Sequence, residues 1–246
     1  MTNCRLRTID IYANRKCNLR CAHCSTGSSM QADTETYAHQ YIPWLKEMMG
    51  RGISWRILNI LGGEPTLHSG LWRFVSEMKP YGPVELTTNG TWLGDWPRMG
   101  PVLKLLDVLT ISCYPSMAAR VPGYRDRILE LKKAYPGLNV RDITVNRFLD
   151  WGFRQEASPS EARHCHGWRC AWLGTDGRLS RCWASLHLDC NPAVTTGFRE
   201  ACGDGMFYDL TTDTYPLRDW YSRRPFPACS WCTGGLSRWT RQTQRN

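Results

Sequence analysis

Residues 6–24 read LRTIDIYANRKCNLRCAHC, and this stretch decides the fold. Leu6 to Tyr12 alternates in character and predicts a β-strand. Cys17, Cys21 and Cys24 follow at once in a single short loop, at CxxxCxxC spacing. Thiolates suit iron–sulfur clusters, zinc and copper(I). Three of them can hold three irons of a [4Fe–4S] cluster and leave the fourth iron open to a ligand. A structural zinc site wants a fourth ligand and is closed. His23 lies within the loop, so zinc stays open as a reading of the loop taken alone.

Working outward, strands and helices alternate. Tyr37, Tyr41, Trp44, Leu45 and Met48 recur at helical spacing within residues 34–50, and Gly50 and Gly52 end that helix. Residues 55–61 form a second strand, closed by Gly62 and Gly63. A helix over 71–78 stops before Pro80, and residues 83–88 make a third strand. A helix over 101–106, a strand over 107–113, a helix over 124–135 and a strand over 138–145 complete the series. This order predicts an α/β fold with a parallel sheet and crossover helices. Loops carrying the chemistry after strand ends fit a partial or full β/α barrel; a doubly wound open sheet is the rival.

After residue 150 the helical periodicity fades, and Cys, Trp, Gly and Pro dominate. Residues 171–183 predict a β-hairpin turning at Thr175-Asp176-Gly177. The expected domains are therefore 1–160, the barrel, and 161–246, a small cysteine-rich unit with a basic tail. A unit with so little apolar core usually needs a metal or disulfide staple.

The chain has 246 residues, 12 of them cysteine, and a formal charge of +9. No apolar run reaches the ~18 residues that a membrane helix needs, and the N-terminus lacks the apolar segment of a signal peptide. A cytoplasmic protein with no membrane partner is expected. In a reducing compartment, such cysteines ligate metals or do redox chemistry more often than they form disulfides. The basic balance favours anionic partners or is simply spread over a solvated surface.

The loop CNLRCAHC, the segment GGEP (62–65), TTNG (87–90) and ISCYP (111–115) together resemble the radical S-adenosylmethionine (SAM) superfamily. His23 fills the place that the family gives to an aromatic-type residue. The resemblance implies a partial (β/α)6 TIM-like barrel, with a [4Fe–4S] cluster on Cys17, Cys21 and Cys24. It implies that the open iron chelates SAM, and that one electron from the cluster cleaves SAM to methionine and a 5′-deoxyadenosyl radical. A reductant such as flavodoxin or ferredoxin would supply the electron. Gly62, Gly63, Glu64 and Pro65 would border the methionine amino group: glycines allow close backbone approach, and Glu64 can accept from an ammonium group. Asn89 and Ser112, at strand ends, would touch the ribose or carboxylate; read without the family, they are a turn residue and a strand-end hydroxyl. Cys113 closes the fourth strand, and its thiol is a candidate hydrogen donor to a substrate radical; otherwise Cys113 and Cys4 are small apolar residues.

Cys170 and Cys182 flank the hairpin, with Gly177 between them, and Cys229 and Cys232 form a later CxxC. This pattern resembles the twitch/SPASM subclass and implies a twitch-type appendage of hairpin plus helix, with an auxiliary [4Fe–4S] cluster on these four cysteines. Only 14 residues follow Cys232, so the shorter form with one auxiliary cluster is expected. Cys165 is a substitute for Cys170, Cys190 and Cys202 have no assigned role, and a structural zinc on the same four cysteines is the rival. The first strand starts so early that a small, anionic metabolite is expected as substrate, undergoing oxidation, epimerisation or rearrangement. A ribosomally made peptide is an alternative. Nucleic-acid base modification is another, since basic grooves with stacking aromatics hold single strands. A non-enzymatic zinc protein would leave GGEP unexplained.

Overall fold

The alternation of residues 6–12 belongs to a longer strand, β1 (Cys4–Asn14), which delivers the chain to the cysteine loop. The computed structural model describes residues 4–21, 24, 26–28, 32–145, 147–149, 170–182, 185, 194–203, 205–223, 226–231 and 239–241. The chain returning from the loop is pinned along the end of β1. Asn14 bridges Glu35, and the Thr36 N–H donates to the Ala13 carbonyl at 2.8 Å. Those pairings take residues 34–36 out of the expected helix, and α1 (Ala38–Gly50) begins only after them. The Tyr37 N–H then donates to Gln40 Oε1 at 2.7 Å, satisfying one donor left open at the helix start.

The next elements follow the predicted order: β2 (Ile53–Gly62), α2 (Leu71–Met78) and β3 (Val84–Thr88). α2 buries Leu71, Phe74, Val75 and Met78, one stripe at helical spacing. The helix expected over 101–106 is shorter, α3 (Gly100–Leu103). Its continuation tightens into i→i+3 bonds, Leu105 N–H to Val102 O and Leu106 N–H to Leu103 O. Then come β4 (Val108–Cys113), α4 (Met117–Arg120), α5 (Tyr124–Ala134) and β5 (Asn139–Thr144). β6 (Arg147–Leu149) pairs outside the main sheet. The predicted hairpin is present as β7 (Cys170–Leu173) and β8 (Arg178–Ser180), antiparallel. α6 (Thr196–Ala201), β9 (Phe207–Asp209), α7 (Leu217–Ser222) and β10 (Trp239–Arg241) follow among the described residues, β10 lying antiparallel to β6.

One eight-stranded sheet runs β5-β4-β3-β2-β1-β7-β8-β9. Strands β5 to β1 are parallel, and β7 adds to the other side of β1 in parallel, Asp10 opposite Trp172. Among the described residues, the sixth parallel strand thus comes from the hairpin. The hairpin is therefore continuous with the main sheet. Its turn also docks on α1: Trp44 Nε1 donates to the Thr175 carbonyl at 2.9 Å. Gly177 lies at φ +84°, and a Cβ there would sit 2.8 Å from the Trp44 ring.

The two faces of the sheet differ. Ile9, Ile11, Leu58, Ile60, Leu86 and Leu109 are fully buried in the core with Leu45 and Met48 of α1 and Phe74 of α2. The alternate positions carry Asp10, Asn59, Glu85, Thr87 and Thr110, aligned across neighbouring strands. Parallel sheets covered on both faces read as near-continuous apolar runs. The polar row shows that this second face is not an apolar packing surface. No helix among the described residues is long and apolar enough to cross a membrane.

Candidate active site

The site is built where the loop after β2 meets the cysteine loop. The Gly63 N–H donates to the Asn14 carbonyl at 2.9 Å, and the Glu64 N–H donates to the Lys16 carbonyl at 2.7 Å. A Cβ on Gly62 would lie 2.2 Å from Asn14 O, and one on Gly63 would lie 2.1 Å from Lys16 O. Gly62 also sits at φ +147°, which disfavours any other residue. The glycines are thus required by backbone packed on backbone, beyond any room they leave for a ligand.

Glu64 is fully buried, and its carboxylate is engaged within the fold. Oε1 accepts from Thr66 N at 3.2 Å, Thr66 Oγ1 at 2.6 Å and Thr88 Oγ1 at 2.6 Å, while Oε2 accepts from Asn89 N at 2.7 Å. Burial pushes the carboxyl above its usual range, and these donors oppose the shift. The side chain expected to receive an ammonium group instead ties the end of β2 to the end of β3. Pro65 is buried as the first residue of a short 3-10 turn, 65–67.

Cys17, Cys21 and Cys24 line one cavity, and Gly62, Gly63, Asn89 and Ser112 line it with them. Sequence reasoning did not assign the other lining residues, among them Thr26, Thr87, Thr88, Tyr114 and Trp172. Thr87 and Tyr114 share the alternation of the polar face, a signal present in the sequence; Trp172 reaches the site only because β7 pairs with β1, which no local pattern announces. The Asn89 side chain fastens the rim. Its Nδ2 donates to Asn18 Oδ1 at 2.9 Å, its Oδ1 accepts from Thr91 Oγ1 at 2.8 Å, and Asn18 Nδ2 donates to Thr91 Oγ1 at 2.8 Å.

The thiols themselves are hydrogen-bonded. Cys17 Sγ accepts from the Leu19 N–H at 3.4 Å. Burial pushes the Cys17 thiol up to about 12, with the Leu19 bond opposing and the charges of Glu64, Cys24 and Cys21 adding to the rise. Cys24 Sγ lies 3.2 Å from Thr26 Oγ1, which lies 2.7 Å from Ser28 Oγ. Burial, then the neighbouring Cys21 and Cys24, also raise the Tyr114 phenol.

Below the cavity runs the polar row. Asn59 Nδ2 donates to Asp10 Oδ1 at 2.7 Å, Thr87 Oγ1 to Asn59 Oδ1 at 2.8 Å, and Thr110 Oγ1 to Glu85 Oε1 at 2.6 Å. Burial raises the Asp10 carboxyl to about 7, against hydrogen bonds from Asn59 and Cys170.

Cys113 faces the other side of the sheet. It projects to the helix-facing side of β4, in the apolar core with Leu109 and Ile111, opposite to Ser112. Strand alternation turns its thiol away from this cavity.

The second cysteine set is only partly within the described residues: Cys165, Cys190 and Cys232 lie outside them, as does His23 of the first loop. Cys182 and Cys229 both pack against a small apolar cluster that contains Phe198, Cys202, Met206 and Phe226. Cys170 sits on the polar face, where burial, then the charge and hydrogen bond of Asp10, raise its thiol to about 12. Tyr12, stacked on Trp172 at 5.3 Å, lies within electrostatic reach of both Cys24 and Cys182. Among the described residues, no three His, Cys, Asp or Glu side chains converge to hold one metal ion.

The fold has a counterpart among solved structures. BtrN in complex with AdoMet and 2-DOIA superposes with a TM-score of 0.55 at 14% identity, over 90% of this chain and 84% of that one. The chain shares its fold with BtrN. A second BtrN structure, in an open conformation, gives a TM-score of 0.50 at 14% identity, over 91% of this chain and 82% of that one. No protein-family model and no curated protein sequence matches the chain.

Proposed function

We propose that this chain is a radical SAM enzyme acting on a small polar metabolite. The observation that carries the reading is the meeting of Cys17, Cys21 and Cys24 on one cavity bounded by the ends of β2, β3 and β4. The fit to a cluster is chemical. A single zinc needs its ligands gathered round one point, whereas a [4Fe–4S] cluster takes each thiolate on a different iron. Three thiols of one short loop on one cavity match the three protein ligands that a [4Fe–4S] cluster with an open iron would take. Cys17, Cys21 and Cys24 would hold the cluster, which, once reduced by an external donor, would supply the one-electron chemistry for reductive cleavage of SAM and hydrogen-atom abstraction from substrate.

The chain's own residues do the rest. Gly62 and Gly63 hold the cysteine loop in register. Asn89 and Ser112 offer polar contacts on the cavity wall, and Tyr114 and Trp172 exclude water beside it. Thr87 lines the cavity, and Asn59 and Asp10 behind it hold its hydroxyl in a hydrogen-bonded row. The BtrN complex with AdoMet and 2-DOIA supports SAM and a small molecule as the ligand classes. The proposed frame is a partial β/α barrel, 1–160, with a twitch-like unit, 161–246. Cys170, Cys182, Cys229 and Cys232 would hold an auxiliary [4Fe–4S] cluster there. A cytoplasmic setting, with a flavodoxin- or ferredoxin-like electron donor, completes the reading.

Anaerobically reconstituted protein, given SAM and dithionite, is expected to release 5′-deoxyadenosine. No release from iron-loaded protein sinks the proposal. Two clusters correspond to about eight irons per chain; about four irons with bound zinc would overturn the auxiliary cluster alone. Cys113→Ala is expected to leave deoxyadenosine formation unchanged and to cost about 1 kcal/mol of stability by emptying a small core volume. Activity lost in a variant that melts like the parent would restore Cys113 to the chemistry.

A further inference from the structure

The three cysteines of the loop differ in their surroundings. Cys24 Sγ lies 3.2 Å from Thr26 Oγ1, and Thr26 Oγ1 lies 2.7 Å from Ser28 Oγ. Both hydroxyls are buried, Thr26 at 8% and Ser28 at 3% exposure. In a neutral thiol, Cys24 can donate to Thr26, which then donates to Ser28. A thiolate has no proton to donate, so the chain must run the other way: Ser28 donates to Thr26, and Thr26 donates to Cys24 Sγ. Hydrogen bonds in series polarise one another, and a hydrogen bond to a charged acceptor is stronger than one to a neutral acceptor.

Hydrogen bonds to cluster sulfurs are among the factors that set an iron–sulfur potential. Reduction adds negative charge to the cluster and its ligands, so a donor aimed at a ligating sulfur favours the reduced state. We infer that the Thr26 hydroxyl, backed by Ser28, is a positioning residue that raises the reduction potential of the cluster held by Cys17, Cys21 and Cys24. This rests on the proposed radical SAM reading. It adds that the redox poise of the site is set in part by a side-chain relay just beyond the third cysteine. The relay would thereby fix how strong a physiological reductant the protein requires.

The test is a spectroscopically monitored redox titration of the reconstituted full-length chain, without substrate. Thr26→Val keeps the side-chain shape and removes the donor. It is expected to make the midpoint more negative by about a tenfold change in the reduction equilibrium, which is ~59 mV for one electron. Ser28→Ala should move it the same way by less, and Thr26→Ser should restore the parent value. An unchanged midpoint in Thr26→Val, at parental iron and sulfide content, overturns the inference and leaves the radical SAM reading standing. If Thr26→Val does not assemble its cluster, Ser28→Ala decides: an unchanged midpoint there overturns the relay. Failure of the parent protein to take up a redox-active cluster overturns both the relay and the functional reading.

Discussion

Alanine at Cys17, Cys21 or Cys24 is expected to reduce 5′-deoxyadenosine formation to background, a loss of at least about a hundredfold. Changing partners that merely support a metal ligand already costs 10–100-fold in affinity or activity; here the ligand itself is removed. Each thiolate would hold its own iron, so no remaining cysteine of the loop is spare. The effect is expected at the site with the fold retained. Cys17 and Cys24 are half-buried, and the sheet beneath them is held by pairings that do not involve their sulfurs. Thermal melting of the apo variants should therefore match apo parent, while iron content and the cluster absorption fall. Retained deoxyadenosine formation in any one of the three variants would refute that residue as a ligand. The Cys113→Ala variant separates a general loss of thiols from loss of these three, since its sulfur lies on the other face of the sheet.

Much of this site was legible in the sequence because its parts are local. The cysteine spacing, GGEP and the strand before each loop lie within short windows, and the structure brings Cys17, Cys21, Cys24, Gly62, Gly63, Asn89 and Ser112 to one cavity. What failed was direction. Cys113 and Ser112 are adjacent, and neither spacing nor motif says which of two neighbours on a strand faces the cavity. Burial on the helix side chose Ser112. Glu64 was placed by its motif, but its partners were not legible. Its motif marks the position, but three hydroxyl and amide neighbours from Thr66, Thr88 and Asn89 claim its oxygens. Trp172 was out of reach because its place depends on β7 adding to β1 across more than 150 residues of chain. The same pairing places Cys170 beside Asp10, so the hairpin belongs to the main sheet as much as to the cysteine-rich segment.

Gly63→Ala is expected to have the second largest effect, and it tests the geometry independently of any cysteine. The added Cβ would lie 2.1 Å from Lys16 O, 2.6 Å from Lys16 C and 2.8 Å from Arg15 O. All three are backbone atoms, so no side chain can rotate to make room. Overpacking of this kind costs about 1–3 kcal/mol or more through backbone shifts. Here the segment that must move is the one entering the cysteine loop. Two hydrogen bonds oppose that movement, Gly63 N–H to Asn14 O and Glu64 N–H to Lys16 O, and the substitution sets them against the steric demand. The expected result is a lower melting temperature together with a fall of about tenfold or more in deoxyadenosine formation, matching 1.4 kcal/mol of lost positioning. Gly94→Ala is the matched control, because nothing lies within 4 Å of its would-be Cβ. Parental melting and parental activity in Gly63→Ala would mean that the two loops are not held at the distance described. A drop in melting temperature with full activity would show that Gly63 serves stability alone. Loss of both is the outcome that ties the β2 loop to the placement of Cys17.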